Sequence, residues 1–506
     1  MRITKNTIRI IALVFTLLIV GIIVFFLVKA YRFLQIPDKD IVELITPSTF
    51  MVVKCDNLRS IKELDNDDYA YLDALLDKNN ATDLRFIINY ADSLSYMHSI
   101  TRNNPLYISL AYKDSKLSYL YVWEIGKKNN ATINKFLNSL QQRYNNQSFL
   151  YKHWEVVKMT VNEKTIYYTY TNGLLLFATD EQSMYASLNQ LLEPPENASS
   201  FFVKSMERWK TNTNTSVHLL VRQSIFNHYI SENKCGFIDD YLWEYLSVFQ
   251  KAELDVSFKN GKIVFSGDVF LDTAHHQHKF YQYTNQTTTH LKLLPKNTTF
   301  ITGFFGKDFV SLSTLYQSKR SMSEDFMTMM KPNTVFSFHL EEEDTLISYI
   351  LIKSDDIEEA KFHLNNCLNS AFDNNIYLLD TFYENGLMVG GIDVANFFLT
   401  RFQMAKEIKR IKAYTVIDDY VLFSDSKKAI SRYINLLKDN ELLSADTNFT
   451  ALDTYFSEGC NFLYYKKNKY NQLSTHSIEK NLALCRLQLN YQRDNKLFFN
   501  FLLQLK

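Results

Sequence analysis

The sequence predicts an α+β fold, in which an N-terminal transmembrane helix is followed by two duplicated antiparallel-sheet domains with amphipathic covering helices. Two observations lead to this prediction. A long apolar segment lies near the N-terminus, and the rest of the chain consists of two halves whose strand and helix patterns recur in the same order. A content of 32 Tyr and 38 Phe in 506 residues supports it, because aromatic residues favour strands.

The apolar segment runs from Ile8 to Val28, and Arg9 is its only charged residue. At about 1.5 Å rise per residue, a helix of this length spans roughly 31 Å, the thickness of a bilayer's hydrocarbon core. A cleavable signal peptide has a shorter apolar core, of about 7–15 residues, and a small-x-small site after it. No such site follows Val28. We therefore predict an uncleaved anchor after a short tail of residues 1–7. A cleaved signal and a buried core helix are the alternatives.

The orientation of the anchor is not fixed by its flanking charges. Lys and Arg are nearly balanced on the two sides of the segment, so the positive-inside rule gives no clear preference. Long soluble portions cross the membrane largely regardless of such charges. We therefore expect the soluble portion to lie outside the cytoplasm, joined to the anchor by a juxtamembrane connector of residues 29–43.

Two α+β repeats are predicted at 44–272 and 293–506, with a linker at 273–292. Residues 117–122 match 347–352 at an offset of 230, and residues 173–178 match 419–424. The alternative is a single large domain with pseudo-symmetric halves.

Local signals define the ends of several elements in both halves. Asp180 and Ser426 are the expected N-caps of two amphipathic helices. The apolar residues of these helices recur at helical spacing and predict one buried face on each. Both halves finish on predicted hairpins, with turns at 259–262 and 493–496, and Asn260-Gly261 is a strong turn signal.

Composition excludes some functions and leaves others open. Lys+Arg and Asp+Glu both number 55, so the formal net charge is zero, whereas nucleic-acid binding needs a basic surface. We expect no nucleic-acid partner. Five cysteines are present and none forms a CxxC pair, which favours buried free thiols over a zinc or redox motif. They are Cys55, Cys235, Cys367, Cys460 and Cys485.

The usual motifs of catalysis are absent from the sequence. The chain has no GxSxG, GxGxxG, GxxxxGK[ST] or HExxH pattern. We therefore predict no catalytic residue and no cofactor, and a protein that is not an enzyme. His276 and His278 are weak metal candidates, since alternate residues of an extended segment share one face. The alternative for these histidines is a solvated linker.

The layout resembles a family of uncharacterised, signal-anchored cell-envelope proteins of Bacteroidetes-type bacteria, classed as a domain of unknown function. The apolar segment, the openings at Pro47 and Pro295, and the stretch at 418–426 with its first-half counterpart are the features that match. The resemblance covers nearly the whole chain and brings no catalytic residue with it. It implies a bacterial periplasmic location and nothing more definite. Together with the predicted anchor, we expect a single-pass protein of the cell inner membrane whose soluble portion is periplasmic.

These observations predict a single-pass, membrane-anchored envelope protein with a non-catalytic binding or scaffold ectodomain. Its partners would be the membrane, through the segment from Ile8 to Val28, and a protein of the envelope. The alternative is a membrane-anchored enzyme, or a carrier of a small ligand or lipid, with its site between the two repeats.

Overall fold

A computed structural model of the chain describes most residues between 41 and 505. The described residues are 23–26, 41–58, 61, 78–161, 163–192, 206, 209, 217–224, 226, 228, 242, 246–274, 286–287, 289–305, 332–342, 345–369, 377–395, 410–467 and 482–505. The chain divides into two compact units. The first unit comprises Met1–Asn66 and Leu75–Leu220, and the second comprises Asp67–Ala74 and Val221–Lys506.

Strands dominate the described chain. They are β1 Thr49–Cys55, β2 Leu106–Lys113, β3 Lys116–Glu124, β4 Asn145–Tyr151, β5 Trp154–Val161, β6 Lys164–Thr171, β7 Leu174–Ala178, β8 Val217–Arg222, β9 Phe249–Lys259, β10 Lys262–Leu271, β11 Gln286–Thr287, β12 Thr298–Phe305, β13 Pro332–Glu342, β14 Thr345–Ser354, β15 Tyr377–Glu384, β16 Leu387–Ala395, β17 Arg410–Ile417, β18 Tyr420–Ser424, β19 Gly459–Cys460, β20 Phe462–Lys467, β21 Leu482–Arg493 and β22 Lys496–Leu505.

The helices are fewer than the strands. The α-helices are α1 Lys78–Asp92, α2 His98–Asn103, α3 Asn130–Arg143, α4 Glu181–Leu192, α5 Ile357–Asn369, α6 Lys427–Lys438 and α7 Thr447–Thr450. Single turns of 3₁₀-helix lie at Ile41–Leu44, Ser95–Met97, Lys127–Asn129, Thr289–Leu293, Leu443–Ala445 and Asp453–Tyr455.

The strands of the first unit follow the order β4-β5-β6-β7-β3-β2-β1-β8. Those of the second unit follow the order β15-β16-β17-β18-β14-β13-β12-β20-β21-β22-β10-β9. The two series can be aligned by starting from β4 in the first and from β15 in the second. Over the first eight positions, the relation between the order of strands in the sheet and their order along the chain is the same in both series.

The predicted fold class, α+β with separate duplicated domains after a transmembrane helix, is wrong. Twenty strands belong to one sheet, and the paired strands are antiparallel, so the described chain is mainly β. Strand β10 shows why the prediction of separate domains fails. The sequence analysis assigned β10 to the first repeat. It pairs with β22, the last strand of the chain, from Lys262 opposite Gln504 to Phe270 opposite Lys496. The repeats therefore do not form separate sheets. Their predicted extents, 44–272 and 293–506, stay a prediction.

The predicted membrane anchor falls almost wholly outside the described residues. Only 23–26 of the segment from Ile8 to Val28 are described, and these four residues are helical and exposed. Among the residues that the structure describes, no helix has both the length and the apolar character that a membrane crossing requires.

The predicted helix caps and hairpin turns are confirmed. Asp180 accepts a hydrogen bond from the Ser183 backbone N–H at 2.8 Å, and Ser426 accepts one from the Ala429 N–H at 3.1 Å. The apolar faces of α4 and α6 are buried in the hydrophobic cores of the first and second units. The turns at 259–262 and 493–496 join β9 to β10 and β21 to β22 through residues with positive φ.

The prediction of buried free thiols is confirmed for the three cysteines whose side chains are described. Cys55, Cys460 and Cys485 are buried and free, and burial raises the pKa of the Cys55 and Cys460 thiols to about 12. These thiols are therefore protonated at neutral pH and act as small apolar residues. Cys235 and the side chain of Cys367 lie outside the described residues.

Candidate functional site

The predicted metal candidates lie outside the part of the chain that is described. His276 and His278 belong to the stretch 275–285, for which no structure is described. The described residues themselves contain no group of three His, Cys, Asp or Glu side chains placed to hold a metal ion.

The strands β4 and β15 are edge strands among the residues that the structure describes. Within the described residues, β4 pairs only with β5, and β15 pairs only with β16. Each strand therefore has one side against which no described strand lies. An edge of this kind presents unpaired backbone N–H and C=O groups, which a further extended segment can pair with.

Both edge strands carry a large exposed apolar side chain at the same position of the hairpin. Leu150 is 72% exposed and Tyr383 is 75% exposed, the highest values for large apolar residues in the described chain. Leu150 lies one residue before the turn that joins β4 to β5, opposite Glu155. Tyr383 lies one residue before the turn that joins β15 to β16, opposite Met388. The two edges are thus equivalent places in the two strand series.

The hairpin register determines which backbone groups point outward. A two-residue turn closes on a hydrogen-bonded pair, and the pairs then alternate along an antiparallel ladder. The closing pairs are Tyr151 with Trp154 and Glu384 with Leu387. The residues one and three positions before the turn therefore direct their N–H and C=O groups away from the sheet. In β4 these are Leu150 and Ser148, and in β15 they are Tyr383 and Thr381.

Helix α4 contacts the last residue of the edge strand β4. The rings of Tyr151 and Tyr185 stack with centroids 3.8 Å apart, and the Tyr151 hydroxyl donates to Asn189 Oδ1 at 3.0 Å. The Tyr185 hydroxyl donates to Glu181 Oε1, and burial followed by this hydrogen bond raises the pKa of Tyr185 to about 12. The phenol therefore stays a donor at neutral pH.

Helix α6 supports the β15 hairpin in a similar way with different residues. Asn385 in the turn donates to Asn435 Oδ1, and Lys438 Nζ donates to Asn385 Oδ1 at 3.0 Å. Lys427 Nζ donates to the Asp380 carbonyl at 2.6 Å, where a bulge interrupts the β15–β16 register. Asn189 and Asn435 occupy the same place in their helices, nine residues after the N-caps Asp180 and Ser426. Both edges are thus fixed to a helix, and their strands are presented in a defined position.

The two equivalent edge regions carry opposite charge. Residues 130–161, which comprise α3, β4 and β5, contain four Lys or Arg and one Glu, a net charge of +3. The equivalent residues 357–395, which comprise α5, β15 and β16, contain one Lys and six Asp or Glu, a net charge of −5. Arg143 and Lys152 of the first region are exposed, as are Glu358 and Asp380 of the second. The neutral balance of the whole chain therefore hides two regions of opposite charge.

Sequence reasoning missed both edge strands. The β4 sequence is largely polar and does not read as a strand by composition, although Asn385-Gly386 after β15 is a strong hairpin signal. The charge difference was present in the sequence, but it becomes visible only after strand register fixes which residues are equivalent.

Comparisons with known proteins leave the chain without an assigned family. No family model matches it, and neither does any curated protein. One solved structure, crystal form III of TP0453, matches 49% of this chain and 89% of its own with 10% sequence identity and a TM-score of 0.28. A likeness at that level carries no conclusion about fold or function.

Proposed function

We propose that the protein is a non-catalytic binding protein of the bacterial cell envelope, held at the inner membrane by its apolar N-terminal segment. Its edge strands β4 and β15 bind extended segments of protein by adding them to the sheet. The observation that carries this proposal is the pair of equivalent edges, each with an outward-facing backbone and an exposed apolar anchor.

The chemistry of the edges fits this kind of recognition. In strand addition, backbone hydrogen bonds supply affinity and alternate side chains supply specificity. Leu150 and Tyr383 offer an apolar contact on each edge, and a helix beneath each strand keeps it ordered. Binding to an ordered edge loses less conformational entropy than binding to a mobile one.

Site-specific cross-linking in living cells tests the proposal. A photoreactive phenylalanine at position 150 or 383 should give cross-linked protein adducts, whereas one at the exposed Lys116 should not. Ser148→Pro should remove the adduct at 150, and Thr381→Pro should remove that at 383, because proline deletes an outward N–H. Ser148→Ala and Thr381→Ala are the matched controls, and the adducts at positions 150 and 383 should persist in them.

Two results would contradict the proposal. If neither edge gives adducts, the edges do not bind protein. If adducts persist in the proline variants, the edges bind protein in some way other than strand addition. Membrane fractionation of the same cells checks the anchoring: the chain should sediment with membranes, and deletion of residues 1–28 should release it.

A further inference from the structure

We propose that the partner of each edge is a second copy of this chain, so that β4 of one copy pairs with β15 of the next. The proposal deepens the proposed function, because it rests on both edges binding extended segments. It names the partner from the charges and lengths of the two edges.

Charge complementarity selects this pairing over the others. The region of α3, β4 and β5 carries +3, and the equivalent region of α5, β15 and β16 carries −5. Two β4 edges would bring together two positive regions, and two β15 edges would bring together two negative ones. Opposite charges across an interface favour encounter, and like charges oppose it. The combination of one β4 edge with one β15 edge is therefore the favoured one.

The two strands also match in length, and neither contains a lysine or a proline. β4 has seven residues, with neither a charge nor a proline among them. β15 has eight residues, without proline, and its charges are the acidic Asp380 and Glu384. Proteins that avoid edge pairing usually place lysine or proline on such strands. Here the only charges on either strand are acidic, and they would face the basic region around β4.

The contact is heterologous, since it joins two different surfaces of the same chain. After the first contact one copy keeps a free β15 edge and the other keeps a free β4 edge, so assembly continues until a ring closes or a linear array forms. A membrane-held protein of this kind would form an array along the membrane surface, which agrees with a scaffold role.

Mixing two blocked variants tests the pairing directly. The full chain in detergent should form concentration-dependent oligomers in analytical ultracentrifugation, and these should dissociate as NaCl rises from about 50 to about 500 mM, because salt screens the charges. Ser148→Pro alone and Thr381→Pro alone should each sediment as the 59.4 kDa monomer. An equal mixture of the two should give a dimer and nothing larger, because one intact edge of each kind remains. Ser148→Ala and Thr381→Ala should behave as the parent chain.

The outcomes separate this inference from the function on which it rests. Dimers in either proline variant alone would show a contact between like edges and overturn the inference. A parent chain that stays monomeric, while positions 150 and 383 still cross-link to a different protein, would overturn the inference and leave the binding function standing. A monomeric parent without adducts would overturn both. Circular dichroism of the proline variants, compared with their alanine controls, confirms that loss of assembly is not loss of fold.

Discussion

Two equivalent places in the two units have the same backbone register and different cores. In the first unit, Leu120 and Val122 lie opposite Ala178 and Leu176. In the second, Tyr349 and Leu351 lie opposite Ser424 and Leu422. The equivalent pairing continues into the neighbouring strand and helix, where Ser109 and Ser187 of the first unit correspond to Phe338 and Tyr433 of the second.

The second unit fills this place with aromatic rings. Phe338 and Tyr349 stack with centroids 4.9 Å apart, and Tyr433 lies 5.9 Å and 5.7 Å from them. The Tyr349 hydroxyl donates to the Ala429 carbonyl and that of Tyr433 to the Leu293 carbonyl. In the first unit the serine at 109 bonds instead to Thr49, at 3.1 Å. The strand path therefore does not depend on one set of core side chains; backbone pairing and turns define it.

A second difference separates β9 from β21, which have equivalent places in the two hairpins. Glu253, Asp255 and Ser257 of β9 occupy the places that Arg486, Gln488 and Asn490 have on β21, because a bulge between Tyr491 and Arg493 shifts the register of β21 by one residue. Arg486 is 2% exposed, pairs with Asp453 at 2.7 Å and lies over the ring of Phe456 at 4.3 Å. The polar residues of β21 hold the segment before β20 in place, since Gln488 and Asn490 donate to the Gly459 carbonyl.

The largest expected effect follows from the aromatic cluster. Tyr433→Ala should destabilise the second unit by roughly 3–5 kcal/mol, because a large buried side chain is replaced by a cavity. Ser187→Ala, at the equivalent position, should cost less than about 1 kcal/mol. Urea denaturation gives the two costs, and hydrogen exchange should show lost protection in β13 and β14 for Tyr433→Ala. Equal costs for the two variants would contradict the difference between the cores.

The ion pair between the buried Arg486 and the half-exposed Asp453 should give an intermediate effect. Asp453→Ala should cost about 2 kcal/mol, below the roughly 3–5 kcal/mol of a fully buried pair, because Asp453 is half exposed. The cost arises from the guanidinium of Arg486, which stays buried without its carboxylate. The double variant Asp453→Ala with Arg486→Met should recover part of the loss, since the buried charge is then gone. If the double variant is less stable than Asp453→Ala, the charge is not the cause.

The smallest effect concerns alkaline pH. Burial, followed by the charges of Asp419 and Asp418, raises the pKa of Tyr420 from 10.0 to about 12. The folded chain holds the Tyr420 proton more tightly than the unfolded chain does. The contribution of this proton to the free energy of unfolding is therefore fully present below pH 10 and is lost as the pH rises to 12. Leu174 occupies the equivalent position in the first unit and does not titrate. Tyr420→Leu should therefore flatten the fall in the urea midpoint across this range; an unchanged slope would contradict the assignment.

Local features of the fold could be predicted from the sequence because their causes are local. The caps Asp180 and Ser426, the buried faces of α4 and α6, and the turn at Asn260-Gly261 follow from residue type and short-range spacing. The match between the strands now labelled β3 and β14 was off by one residue. The sequence comparison set 119 against 349, whereas strand pairing sets Leu120 against Tyr349. One residue exchanges the two faces of a strand, so equivalence of side chains needed the hydrogen-bonded register.

What the sequence determined by itself was the local geometry and the total charge. The cap, the helical face and the two-residue turn each depend on a few neighbouring residues, so they can be read along the chain. Tertiary structure alone decided that β10 pairs with β22, that β4 and β15 are edges, and that basic and acidic regions occupy equivalent places. Those features depend on contacts between residues far apart in sequence, and periodicity and residue type carry no information on which distant strands meet.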